Sequence, residues 1–117
     1  MSKIKILMID DNVNLIEMVR EYFKEHNRIE LAIESHDGED GLNKILNSAG
    51  NYDVILLDLI MPVKDGLYVL EELKKRGIEK NIIVETSYNE PKIIRKVSEY
   101  GVNYYVLKLF NLSELKD

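Results

Sequence analysis

The sequence has no cysteine among its 117 residues. Disulfides, thiolate nucleophiles, zinc fingers and iron–sulfur clusters are therefore excluded. Positive charge is also scarce, because 16 lysines and arginines stand against 21 aspartates and glutamates, a formal net charge of −5. A nucleic-acid-binding domain usually gathers an excess of positive charge, so we expect no direct contact with nucleic acid.

Long apolar runs are missing as well. The first apolar run, at 4–9, stops at Asp10 and is too short for a signal peptide or a membrane span. Ser2 stands where a myristoyl group would need glycine. We therefore expect a cytoplasmic protein without a membrane partner.

Short apolar runs alternate with helical patterns along the chain. The runs are Ile4–Ile9, Val54–Leu57, Ile82–Val84 and Tyr104–Leu107, with a more alternating fifth at Ile29–Ser35. Runs without a polar face predict strands covered on both sides, as in parallel sheets. Four helical patterns lie between them, one after a predicted N-cap at Asn12 and one from Pro91 to Gly101. This order predicts one α/β domain with right-handed crossovers.

Polar residues follow the predicted strands where these end: Asp10 and Asp11, Asp58, Thr86 and Ser87, and Lys108. In a parallel sheet these ends lie at one edge, where ligands bind. Converging carboxylates repel one another unless a cation lies among them, and carboxylates suit Mg²⁺ or Mn²⁺. With a hydroxyl and an ammonium group nearby, such a set suits acyl phosphate chemistry.

Each of these residues also has a purely structural interpretation. Asp11 or Asn12 would cap a helix, Asp58 and Thr86 would serve turns, and a lone lysine such as Lys108 is usually solvated. Together, at the ends of separate strands, they favour a functional site.

The motifs at these strand ends resemble a known family. Asp10-Asp11-Asn12, Asp58-Leu59-Ile60-Met61-Pro62, Thr86-Ser87 and Tyr105-Val106-Leu107-Lys108 look like the receiver domain of two-component response regulators. The resemblance runs from about Lys3 to Phe110, and 65–71 looks most like the sporulation-initiation phosphorelay regulators. It implies a doubly wound, five-stranded parallel sheet with strand order 2-1-3-4-5, the flavodoxin-like fold.

The resemblance also implies roles for individual residues. Asp58 would be the phosphoacceptor, with Asp11 a direct Mg²⁺ ligand, Asp10 acting through the water shell of the metal, and the backbone carbonyl of Ile60 completing the site. Mn²⁺ would substitute for Mg²⁺.

The remaining implied roles concern the phosphoryl group and the output. Thr86 would hydrogen-bond the phosphoryl group, Lys108 would pair with it, and Tyr105 would be the aromatic switch. The donor would be a histidine kinase or phosphotransferase carrying phosphohistidine, or a small acyl phosphate. Output would pass to an effector domain or downstream protein through the fourth helix and fifth strand, in transcription regulation. The chain would catalyse only its own phosphorylation and slow dephosphorylation, and would not be an enzyme otherwise.

The end of the chain departs from the family's architecture. A helix beginning at Asn111 would have only about one turn before Asp117, so the fifth helix is truncated or very short. We expect residues 1–117 to be a single receiver domain belonging to a longer regulator. The sheet face thus left uncovered predicts a homodimer or exchange of the C-terminal segment.

Two residues depart from the family's motifs. Leu109 follows Lys108 where the family has proline with a cis peptide, and Glu85 stands where the family has a buried apolar residue. A buried carboxylate is costly, so we expect Glu85 to be paired, protonated or reached by water. Both departures favour a second hypothesis, a degenerate receiver that acts as a phosphate-independent interaction module.

Two other classes fit the sequence less well. A phosphatase of the haloacid-dehalogenase type needs a second aspartate two residues after the nucleophile, where Ile60 stands. A flavin or nucleotide binder needs small residues after the first strand, and Asp10 and Asp11 would repel its phosphate.

Overall fold

Strands and helices alternate in the order that the sequence predicts. The computed structural model describes residues 3–61, 63–87 and 90–107, with the side chain of Leu107 excepted. The strands are β1 (Ile4–Ile9), β2 (Ile29–Ser35), β3 (Val54–Asp58), β4 (Ile82–Thr86) and β5 (Tyr104–Leu107). The helices are α1 (Val13–Lys24), α2 (Gly38–Asn47), α3 (Gly66–Lys75) and α4 (Pro91–Ser98).

The five strands form one parallel sheet in the order β2-β1-β3-β4-β5, which confirms the predicted topology. β3 and β4 are longer than their apolar runs, because β3 includes Asp58 and β4 includes Glu85 and Thr86. Asp58 is paired in register with Glu85, so the ladder holds these polar residues inside the sheet. The last positions of β3 and β4 therefore belong to the buried sheet, rather than to the loops that follow.

The two faces of the sheet pack against different helices. Leu7, Ile9, Leu57 and Val84 belong to the larger apolar cluster, which also includes residues of α2, α3 and α4. Met8 and Leu56 belong to a smaller cluster with α1, and Ile83 packs against it. Side chains alternate along a strand, so Asp10, Asp58 and Glu85 project on the same side of the sheet as the smaller cluster.

The sequence predicts the start of α1 correctly and the end of α4 too late. The Oδ1 atom of Asn12 accepts a hydrogen bond from the backbone N–H of Leu15 at 3.0 Å, which confirms this residue as the N-cap of α1. α4 ends at Ser98 with Glu99 as its C-cap, and Gly101 lies beyond it in the left-handed conformation, with a φ of 76°.

Several sequence predictions fall outside the described residues. These concern Lys108, the Lys108–Leu109 peptide and the short fifth helix, and they stay predictions. In the part of the chain that the structure describes, no helix combines the length and the apolar character needed to cross a membrane.

Candidate functional site

Polar side chains from neighbouring strands are buried at the carboxyl edge of the sheet. Asp10 follows β1 and has no exposed surface, and Asp58 at the end of β3 is 2% exposed. Glu85 and Thr86 close β4 and are likewise fully buried. The topology therefore brings Asp10 and Asp58 to one edge of the sheet with Glu85 among them, and Thr86 ends the adjacent strand β4.

Backbone hydrogen bonds hold the two aspartates in place. Oδ1 of Asp10 accepts a hydrogen bond from the N–H of Asn12 at 2.8 Å, and Oδ1 of Asp58 accepts one from the N–H of Ile60 at 3.2 Å. The backbone N–H of Asp10 donates to the carbonyl of Ser35 at 3.0 Å, which ties this residue to the end of β2. Each carboxylate is thus fixed by the loop that follows its own strand.

The loop after β3 is packed tightly against the sheet. The N–H of Gly66 donates to the carbonyl of Leu59 at 3.0 Å, and a side chain at position 66 would bring a Cβ within 2.8 Å of Leu59 Cα. The N–H of Gly38, at the start of α2, donates to the carbonyl of Lys64 at 2.6 Å. Two glycines therefore allow this loop to pack closely against the starts of α2 and α3.

Three of the buried side chains form an acidic cluster. Asp10, Asp58 and Glu85 each offer one carboxylate oxygen, and these oxygens all lie within 4.8 Å of one another. An oxygen-only set of this kind suits a hard divalent cation such as Mg²⁺ or Mn²⁺. The donor chemistry therefore fits the metal that the sequence predicts.

Two predicted metal ligands, Asp11 and Ile60, have exposed side chains, unlike the buried residues of the cluster. Asp11 is exposed and does not contribute to it. The side chain of Ile60 is 43% exposed, while its backbone N–H bonds to Asp58. Asp11 would have to turn inward to contact a cation held by Asp10 and Asp58.

Two more predicted site residues, Thr86 and Tyr105, lie on the two strands beyond Asp58. Thr86 pairs in register with Leu107, the last residue of β5. Tyr105 is partly buried on β5, and burial raises the pKa of its hydroxyl, which therefore stays protonated at neutral pH.

Sequence reasoning missed that Glu85 belongs to the acidic cluster. The signal was present, because Glu85 is two residues after Ile83 on β4 and therefore faces the same side of the sheet. The register that brings it opposite Asp58 comes from the pairing of β3 with β4, which no local motif encodes. The two histidines lie away from the cluster, with His36 paired to Glu34 at 3.0 Å and His26 packed against Phe23.

A family model for the response regulator receiver domain matches residues 6–117. This chain belongs to the response regulator receiver domain family. As a receiver domain, it is a module of two-component signalling, and the sequence resemblance is confirmed.

Individual relatives agree with this family. The chain is 34% identical over 113 residues to the transcriptional regulatory protein CiaR of Streptococcus pneumoniae, covering 97% of this chain and 48% of the relative. The chain thus spans about half the length of this curated relative.

Solved structures of receiver domains superpose closely on the fold. The receiver domain of Francisella response regulator 1452 is 28% identical, with a TM-score of 0.83 over 97% of this chain and 90% of that one. The receiver domain of AraT from Geobacillus stearothermophilus is 31% identical, with a TM-score of 0.77 over 96% and 86% of the two chains.

Proposed function

We propose that this receiver domain is a phosphoryl-accepting switch with Asp58 as the acceptor. The observation that carries the proposal is the burial of the Asp58 carboxylate at the end of β3, where one of its oxygens lies within 4.8 Å of an oxygen of Asp10. Its backbone bond to Ile60 holds the carboxylate at the sheet edge.

The proposed reaction is a transfer of a phosphoryl group onto Asp58. An oxygen of its carboxylate forms a bond to phosphorus while the bond from phosphorus to the donor breaks, and the electron pair stays with the donor. For a phosphohistidine donor that leaving atom is an imidazole nitrogen, which takes up a proton. A bound Mg²⁺ would supply the positive charge that allows the phosphoryl group to approach Asp10 and Asp58.

Other residues of the chain would hold the product. The Thr86 hydroxyl would donate a hydrogen bond to a phosphoryl oxygen, and Lys108 would pair with the added charge. Tyr105, one strand away from Thr86, would then change its position and transmit the phosphorylated state to the surface of α4 and β5. Histidine kinases or phosphotransferases would be the donors, and an effector domain or downstream protein the receiver of the signal.

Labelling with acetyl phosphate and Mg²⁺ tests the acceptor. We expect acid-labile phosphate on the wild type, none on Asp58→Asn and a reduced amount on Asp10→Asn, because an amide cannot replace an oxygen nucleophile. Asp53→Asn, a change at the opposite end of β3, is the matched control and should be labelled like the wild type. Equal labelling of wild type and Asp58→Asn would assign the acceptor elsewhere.

A second candidate function is a phosphate-independent interaction module, and the burial of Glu85 beside Asp58 favours it. A negative charge at this position opposes the approach of a phosphoryl group. A wild type that takes up no phosphate from acetyl phosphate, and that gives the same amide NMR spectrum with and without beryllium fluoride and Mg²⁺, would support this function instead of the switch.

A further inference from the structure

Glu85 gives this receiver domain a buried carboxylate that its family's motif lacks. We infer that Glu85 binds the divalent cation together with Asp10 and Asp58, and that it raises the affinity of the site for that cation. The inference rests on the proposed function, because it assigns a third carboxylate to the same metal site.

The strand register places Glu85 where a metal ligand would be needed. It is paired with Asp58 across the β3–β4 ladder, and both side chains are on the α1 side of the sheet. Neither position is open to solvent, since Glu85 is 0% and Asp58 2% exposed. A cation that reaches Asp58 therefore enters a space that Glu85 also faces.

Distances between the carboxylate oxygens agree with a shared ion. One oxygen from each of Asp10, Asp58 and Glu85 lies within 4.8 Å of the other two. Ligand oxygens at about 2.0–2.1 Å from Mg²⁺ are at most about 4.2 Å apart when they lie on opposite sides of the ion. The terminal torsion of a glutamate is broad, so small rotations of Glu85 suffice to close the difference.

Electrostatics predicts that Glu85 raises the affinity of the site for a divalent cation. Asp10 and Asp58 alone would carry two negative charges in a buried space, and Glu85 brings a third. Each added carboxylate increases the attraction for a divalent ion, and burial weakens the screening of that attraction by water. A receiver with an apolar residue at position 85 would therefore bind cations more weakly than this chain.

Manganese binding to the full chain tests the inference without any phosphorylation. Electron paramagnetic resonance measures free Mn²⁺, and so gives the Kd of each variant, and competition with Mg²⁺ gives its Kd in turn. We expect Glu85→Gln to raise both Kd values about tenfold, as loss of a carboxylate partner does at other metal sites. Glu79→Gln removes the same charge from an exposed position before β4 and should change them less than about twofold.

The outcomes separate this inference from the proposed function. The role of Glu85 alone would be overturned if Glu85→Gln bound Mn²⁺ with an unchanged or lower Kd. In that case the wild type would still bind Mn²⁺, and Asp58→Asn would bind it weakly. A wild type that binds neither ion would overturn the metal site itself, and with it the proposed function.

A second variant guards against an effect on folding. Glu85→Met has a similar length and no charge, and thermal unfolding with and without Mn²⁺ reports binding through the rise in Tm. We expect a smaller Mn²⁺-induced rise in both variants than in the wild type and in Glu79→Gln. Equal rises in all four proteins would contradict the inference.

Discussion

Asp53 and Asp58 are five residues apart, at the two ends of one strand, and their environments are opposite. Asp53 is exposed, and its Oδ2 atom accepts a hydrogen bond from the backbone N–H of Lys5 at 2.8 Å. Asp58 is buried beside Asp10 and Glu85. The same residue type thus stabilises a strand start at one edge of the sheet and forms part of an acidic cluster at the other.

The surroundings of the two edges explain this difference. The amino edge borders an open groove in which lysines lie over tyrosine rings, Lys74 over Tyr100 at 5.4 Å and Lys80 over Tyr52 at 5.3 Å. Charges of both signs there are in contact with solvent. At the carboxyl edge Asp10, Asp58 and Glu85 are buried and their carboxylates face one another. In open α/β sheets, ligands bind at the carboxyl ends of the strands, which is the edge that carries this acidic cluster.

The largest expected effect concerns the loop after β3, at the carboxyl edge. Gly66→Ala should lower the free energy of unfolding by about 3 kcal/mol, because the new Cβ would press on the backbone of Leu59. Gly50→Ala, before β3 at the amino edge, meets no atom within 4 Å and is strained only by its φ of 89°, so it should cost about 1 kcal/mol. Urea unfolding of both variants measures the difference. Equal costs would mean that the two edges are packed alike.

The next effect concerns the lifetime of the phosphorylated state. A water that attacks the acyl phosphate must lie in line behind phosphorus, and Ile60 has no group to position it. Slow dephosphorylation is therefore expected. Ile60→Asn should shorten the lifetime about tenfold, which corresponds to about 1.4 kcal/mol of barrier.

Decay of labelled protein after removal of acetyl phosphate measures this lifetime. Val63→Asn, a change at a 74% exposed position in the same loop, is the control and should decay like the wild type. If Ile60→Asn loses phosphate no faster than the wild type, Ile60 does not control the water.

The smallest effect concerns stability without metal. Buried carboxylates that face one another oppose folding, so Asp58→Asn in the presence of a chelator should raise the free energy of unfolding by about 1 kcal/mol. Asp53→Asn should change it by less than about 0.5 kcal/mol, because its amide oxygen can still accept the bond from Lys5. Denaturant unfolding of the two variants measures both changes in the free energy of unfolding. An Asp58→Asn variant less stable than the wild type would show that repulsion between the carboxylates does not dominate at this edge.

Most of the fold could be predicted from the sequence because its signals are local. The apolar run before Asp10 and the N-cap at Asn12 each act within a few residues, and the structure confirms both elements. The convergence of Asp10 and Asp58 could also be predicted from the sequence, because parallel strands end at one edge of the sheet. The presence of Glu85 in the acidic cluster could not be predicted, because it depends on the register between β3 and β4, which are joined by a whole helix.

The conformations of individual loop residues could not be predicted from the sequence either. Asp11 is exposed, although its neighbour Asp10 is fully buried. Val63 has a φ of 68°, a left-handed backbone conformation that β-branched residues rarely adopt. Neither feature follows from the preferences of the residues themselves.

Fluorine NMR with beryllium fluoride tests most directly whether the buried end of β3, and not its exposed end, accepts a phosphoryl group. Beryllium fluoride takes the place of that group on a carboxylate. With Mg²⁺ present, we predict bound fluorine resonances for the wild type and for Asp53→Asn, and none for Asp58→Asn or without Mg²⁺. Bound resonances that persist in Asp58→Asn, or their absence from the wild type, would contradict the assignment of Asp58 as the acceptor.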